Sequence, residues 1–150
     1  MALNAYEVRS VKRRLESYQD LLAMAAEKDR EALMLQAKYE NLATPGAISY
    51  SHEPGGSGRP KESAYLEIFS DQLEAERKAA RYRLQAAQIE RFIESVEDES
   101  QDILKMAYLD GRRYWEIGKS IGYTASGVRM RIIRCLEKIP PSLAVAGGLL

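Results

Sequence analysis

From Tyr65 to Val96 the chain keeps one apolar register without a break. Tyr65, Ile68, Gln72, Ala75, Ala79, Tyr82, Ala86, Ile89, Ile93 and Val96 recur at alternating spacings of three and four through more than four heptads. That period is the period of an α-helix face. Leu66, Phe69 and Leu73 widen the stripe near its start. A helix over residues 62–97 would run roughly 50 Å at about 1.5 Å per residue. No small core needs one so long, so it must pair with another helix of the chain, with a symmetry mate, or with both. The small side chains of Ala75, Ala79 and Ala86 permit close approach. Ile68, Ala75, Ala79, Tyr82, Ala86, Ile89 and Ile93 are the expected oligomerisation residues, a homodimer being the favoured state.

Residues 1–43 hold no Gly or Pro and are rich in good helix formers. Val8, Val11, Leu15, Tyr18, Leu22 and Ala25 form a second heptad-like stripe, with a bend or restart expected near Asp29. Thr44-Pro45-Gly46 ends it. Residues 44–61, TPGAISYSHEPGGSGRPK, carry four Gly and three Pro and read as a flexible loop. PGGSGR has the look of a phosphate-cradling loop but lacks the Gly-Lys-Ser/Thr ending and a preceding strand. The expected fold is all-α: a long antiparallel helical hairpin, coiled-coil-like, followed by a small C-terminal helix-turn-helix domain over 98–139. Asp98 or Ser100 would cap the first helix of that domain, which would end at Asp110-Gly111. Pro140-Pro141 stops the last helix and leaves 140–150 as a loose tail.

Residues 111–138, GRRYWEIGKSIGYTASGVRMRIIRCLEK, carry the functional signal. Trp115, Ile117 and Ile121 are read as the packing face of a first short helix, Gly122 as its break and Thr124 as the cap of a second. Val128, Ile132, Leu136 and Ile139 then recur at four, four and three. Two short amphipathic helices joined by a glycine turn form the unit that lays a recognition helix in a DNA major groove. The charge distribution agrees. Residues 1–99 hold 14 Lys/Arg against 18 Asp/Glu, and residues 111–138 hold seven against two, within a chain of zero net charge. A local net charge of +5 is the footprint expected of a nucleic-acid surface.

On the face opposite the buried stripe, Ser126 and Arg129 lie near the helix start and are assigned to base edges. Arg131 and Arg134 are assigned to phosphates. Thr124 caps the helix and can touch a phosphate, and Arg112, Arg113 and Lys119 flank the turn as further phosphate ligands. Trp115, Ile117, Ile121, Val128, Ile132 and Leu136 are the expected core.

Other classes find little support. One Cys and one His exclude a disulfide framework and a zinc site. No Ser/His/Asp or Cys/His set is evident, so neither an enzyme nor a cofactor is expected. No run of about 18 apolar residues suggests a membrane span, and the N-terminus lacks a signal-peptide core. A cytoplasmic protein is expected.

The segment LDGRRYWEIGKSIGYTASGVRMRIIRCLEKI resembles the region-four helix-turn-helix of sigma factors: Trp-Glu-Ile, a Gly-Tyr-Thr turn, then a basic helix ending in Leu-x-x-Ile. With the long N-terminal helix, ISYSHEPGGSG and the heptad helix, nearly the whole chain resembles the phage and prophage transcriptional regulators of the RinA/ArpU type. The resemblance implies control of late phage genes in a bacterial host cell. It places Thr124, Ser126, Arg129 and Arg131 on contact positions of double-stranded DNA. The chain departs from the pattern at Gly118, where alanine is usual, and at Gly127. Two alternatives stand beside this reading. One is a small terminase subunit recognising viral DNA for packaging, though these usually carry the DNA-binding unit N-terminally. The other is an interaction protein docking on host RNA polymerase or a sigma factor.

Overall fold

The computed structural model describes residues 2–43 and 61–150, and every regular element among them is helical. The expected loop over 44–61, with His52, lies outside the described residues apart from Lys61. The helices are α1 (Ala5–Glu16), α2 (Tyr18–Ala43), α3 (Lys61–Ser95), α4 (Asp98–Leu104), α5 (Tyr114–Ile121), α6 (Ala125–Glu137) and α7 (Pro141–Ala146). The chain divides into two units, Ala23–Arg83 and Met1–Leu22 with Leu84–Leu150. No helix among the described residues is long and apolar enough to cross a membrane.

The Ala23–Arg83 unit is the antiparallel hairpin of α2 and α3. The Tyr65 hydroxyl donates to the Leu42 carbonyl at 2.7 Å and its ring meets Tyr39 edge-on at 5.1 Å, while Arg83 pairs with Asp29. Partners climb α2 as they descend α3. Alanines fill the interface: Ala25, Ala32, Ala75 and Ala79 are buried. Small side chains let two helices approach closely along their length.

In the other unit α1 opens with a capping box. Glu7 N–H donates to the Asn4 side chain at 2.8 Å, and Asn4 N–H donates to the Glu7 carboxylate at 3.1 Å. Val8, Val11 and Leu15 of α1 are buried, and so are Ala86, Ile89, Phe92 and Ile93 of α3. Together with Leu104, Ile117, Val128, Ile132 and Leu136, they form a core of branched and aromatic side chains.

Several expectations need correction. The first helix breaks at Ser17, not near Asp29. The Ser17 hydroxyl donates to the Arg14 carbonyl at 2.6 Å, so this side chain competes for a backbone acceptor and ends α1. The stripe keeps its register through Tyr18 and Ala25, both buried, but takes its three-residue step first, so Leu21 is buried between them in place of Leu22, which is exposed. Neither Asp98 nor Ser100 caps α4. Glu97 holds that position without a side-chain cap, and Ser100 is buried. The helix does end at Asp110-Gly111, through a wide π-turn over Lys105–Leu109. Gly111 adopts φ 66°, and Arg112 N–H reaches back to the Met106 carbonyl at 3.0 Å, a Schellman-type closure. The tail is not loose, because Pro141 starts α7 at a position where the missing N–H costs nothing. Ala144 and Leu149 are buried there, and Arg14 donates to the Gly148 carbonyl at 3.3 Å.

The oligomerisation assignment also changes. Ala75, Ala79, Ala86, Ile89 and Ile93 are buried within a single chain, and Ile68 and Tyr82 are half-buried. That stripe is consumed by the chain's own folding, so it offers little to a partner.

Candidate nucleic-acid interface

The site begins with α5. Its inward residues are Tyr114, Ile117, Gly118 and Ile121, spaced three, one and three, and Ile117 and Gly118 are buried. Trp115, expected in this core, is not in it: it is 50% exposed. Two residues along a helix is about 200° of rotation, so Trp115 and Ile117 cannot share a face. The ring instead lies under the Lys119 ammonium, 5.1 Å from the centroid, a cation–π contact on the surface. Ile121 is only half-buried.

The turn is built on glycine at two positions with different reasons. Gly122 takes the left-handed conformation, φ 79°, that ends α5. Gly118 is needed for space. Gly122 and Tyr123 N–H both donate to its carbonyl, at 2.8 and 2.9 Å, and this folds the Tyr123 carbonyl down onto it. A Cβ on Gly118 would stand 2.2 Å from that oxygen. Glycine at this position is therefore demanded by how this turn closes.

Thr124 caps α6 as expected, its hydroxyl accepting from Gly127 N–H at 3.0 Å. A Cβ on Gly127 would lie 3.2 Å from that hydroxyl, so glycine at this position also gives the cap room. Val128, Ile132 and Leu136 face inward with no exposed surface, and Ile139 continues their stripe.

The outward residues of α6 fall where the sequence placed them. Ser126, Arg129, Arg131 and Arg134 are exposed, as is Met130, and Arg112, Arg113 and Lys119 are exposed around the turn. Ser126 and Arg129 stand in the first turns of α6 beside the Thr124 cap. Arg131 is not free. Its guanidinium donates to the Tyr123 hydroxyl at 2.9 Å and lies 5.4 Å from that ring's centroid. Glu99 and Asp102 of α4 line the same surface groove, so Arg131 belongs to the flank of α6 nearest α4. Arg113 takes the backbone N-cap position of α5, and Arg112 reaches the Met106 sulfur at 3.9 Å.

Electrostatically the site is open. None of the seven Lys and Arg between Gly111 and Lys138 forms an ion pair among the described residues. Three of the cations nonetheless have carboxylates nearby: Arg131, Arg134 and Lys138 share surface grooves with Glu97, Glu99 and Asp102. Sequence reasoning missed Tyr123 and Lys138. Tyr123 lies between the helix-ending Gly122 and the Thr124 cap, and a side chain fixed in a two-residue turn has no core to enter. That position was the available signal. Lys138, the C-cap residue of α6, extends the basic row.

No family model, curated protein or solved structure matches this chain.

Proposed function

We propose that this chain is a sequence-specific regulator of transcription that binds double-stranded DNA, with α6 as the major-groove reader. The observation that carries the reading is the set of seven exposed, unpaired cations on the helix-turn-helix of a chain that is otherwise acidic. Ser126 and Arg129 are the base-reading residues. Arg134, Arg112, Arg113 and Lys119 bind phosphates. Arg131 does so from its perch on Tyr123, which fixes its direction in advance. Late-gene control in a phage or prophage is the biological setting that the RinA/ArpU resemblance suggests.

The test is a fluorescence-anisotropy titration on fragments tiled from the chain's own genomic neighbourhood, with random competitor. Five phosphate contacts predict roughly a five-hundredfold loss of affinity between about 50 and 200 mM salt. Arg129→Ala should cost about 1–3 kcal/mol on the preferred fragment and little on random DNA. Salt-insensitive binding without preference for any fragment overturns the proposal. One observation favours a second reading. Trp115, Tyr123 and Met130 are all about half exposed beside the cations, and large exposed side chains of this kind suit a protein surface. That reading, docking on RNA polymerase or a sigma factor, is the one to pursue should DNA binding fail.

A further inference from the structure

Each helix of the hairpin carries a second row of apolar residues beside the buried one, and apart from the half-buried Leu73 that row is exposed. The second lies one residue further along. Ala26 and Leu33 follow the buried Ala25 and Ala32. On α3, Leu66, Phe69, Leu73 and Ala80 follow Tyr65, Ile68, Gln72 and Ala79. One residue is about 100° of rotation, and in antiparallel helices the same sense of rotation turns both second stripes to the same side of the hairpin. Leu33 is 64% exposed, Leu66 68% and Phe69 57%. A face two helices wide, about 20 Å, and about 30 Å long offers roughly 600 Å² per protomer, close to the ~800 Å² of a standard interface. The exposed Leu33, Leu66 and Phe69 cluster on that face, and clustered apolar side chains mark an interaction surface more often than scattered ones do.

The pattern along α3 identifies what covers it. A two-fold axis between Glu76 and Arg77, laying α3 antiparallel on a second α3, sets Glu76 against Arg77 in both directions. It sets Leu73 against Ala80, Phe69 against Leu84 and Leu66 against Ala87. At the ends it sets Glu62 against Arg91. Leucine meets alanine at two steps, Phe69 meets Leu84 as an apolar pair, and acid meets base at the centre and at the ends. Arg77 is exposed and forms no ion pair among the described residues. Along α2 the same operation, centred between Asp29 and Arg30, sets Ala26 against Leu33 and Leu22 against Ala37. A surface that complements itself under a two-fold is the signature of an isologous contact. We infer that the second stripe of the hairpin binds a second copy of this chain, face to face and antiparallel, as a four-helix dimer with α3 against α3. This does not depend on DNA binding.

Sedimentation equilibrium of the full chain up to about 100 μM tests it. The expected mass is twice the 16.9 kDa of one chain. Leu66→Glu with Phe69→Glu should weaken association at least about a hundredfold, by placing four carboxylates in the apolar contact. Helix content by circular dichroism should hold, because both side chains are already exposed. The register is tested by charge. Glu76→Arg alone and Arg77→Glu alone should each weaken the dimer about tenfold by putting like charges in contact. An equimolar mixture of the two variants should recover wild-type affinity, since each heterodimer restores both pairs. The inference is overturned by a monomer at about 100 μM, by a ring of higher mass, or by a dimer that tolerates Leu66→Glu with Phe69→Glu. It is equally overturned if the mixture fails to recover. Should the Leu66/Phe69 variant lose helix content, the charge exchange at exposed sites decides.

Discussion

The hairpin is held by alanines, and the core around the glycine turn by branched side chains. Ala25, Ala32, Ala75 and Ala79 close the first, while Ile117, Val128, Ile132 and Leu136 fill the second. Charges divide the same way. In the hairpin Lys28 meets Glu31 at 2.8 Å and Lys78 meets Glu74 at 3.1 Å, and Arg83 pairs with Asp29. The Lys28 hydrogen bond holds the Glu31 carboxyl below its ordinary range, and Glu31 in turn raises the Lys28 ammonium. Around the turn no cation is paired. Exposed pairs add little stability, so the contrast lies in charge distribution: the hairpin pairs several of its cations, and the helix-turn-helix leaves its cations without ion pairs among the described residues.

The contrast in packing makes opposite substitutions harmful in the two regions. Ile132→Ala removes three heavy atoms from a site with no exposed surface and should cost about 2–5 kcal/mol by urea denaturation. Ala79→Leu inserts bulk where two helices touch and should cost about 1–3 kcal/mol. A stabilised Ala79→Leu variant would show that the hairpin has slack, and the comparison would fail on that side.

Gly118→Ala probes the turn itself. On helix propensity alone alanine gains about 1 kcal/mol. The Tyr123 carbonyl, 2.2 Å from the new Cβ, opposes it. Because the neighbour is backbone, the turn must move, and a net loss of about 1–2 kcal/mol is expected. Amide exchange at Gly122 and Tyr123, whose N–H groups bond the Gly118 carbonyl, should accelerate with it. A melting temperature at or above that of the wild type would show that this turn opens more easily than its hydrogen bonds imply.

What could be read from the sequence followed from periodicity. The stripe from Tyr65 to Val96, the face of α6 and the stop at Asp110-Gly111 all emerged where expected. Where periodicity was short or interrupted, the reading failed. Trp115 was grouped with Ile117 across a two-residue spacing that no helix face has. The break fell at Ser17 because one hydroxyl found a carbonyl, an event local to a single side chain. Pro140-Pro141 was read only as a stop, although a proline that ends one helix can begin the next. The subtler failure concerns α3. A perfect heptad stripe says that a helix has a partner but not whose. Here the chain itself takes the first stripe, so the question passes to the offset one through Leu66 and Phe69.

Two buried tyrosines separate the value of a partner from the value of burial. Tyr18 donates its hydroxyl to the Glu90 carboxylate, and burial and that bond together push its ionisation up to about 12. A folded-state value above the unfolded one near 10 gives stability that is complete below pH 10 and drains away as the pH climbs toward 12. Tyr18→Phe should therefore cost about 1 kcal/mol at pH 7, and the gap from the wild type should narrow in denaturation curves taken from pH 9 to pH 12. An unchanged gap at pH 12 would mean that neither burial nor Glu90 raises the Tyr18 ionisation in the folded chain.

Tyr108 is the counterpart. It lies between α4 and the turn, nearly fully buried, and its hydroxyl has no hydrogen-bond partner although Tyr114 is close by. Burial raises its ionisation too. An oxygen taken out of water without compensation is a cost to the fold. Tyr108→Phe removes that oxygen and leaves the ring's packing in place. It should be neutral or should stabilise by up to about 1 kcal/mol, the reverse of Tyr18→Phe at the same pH. A loss comparable to that of Tyr18→Phe would mean that the Tyr108 hydroxyl is satisfied in solution, most simply by Tyr114. The π-turn from Lys105 to Leu109 would then owe part of its shape to that bond.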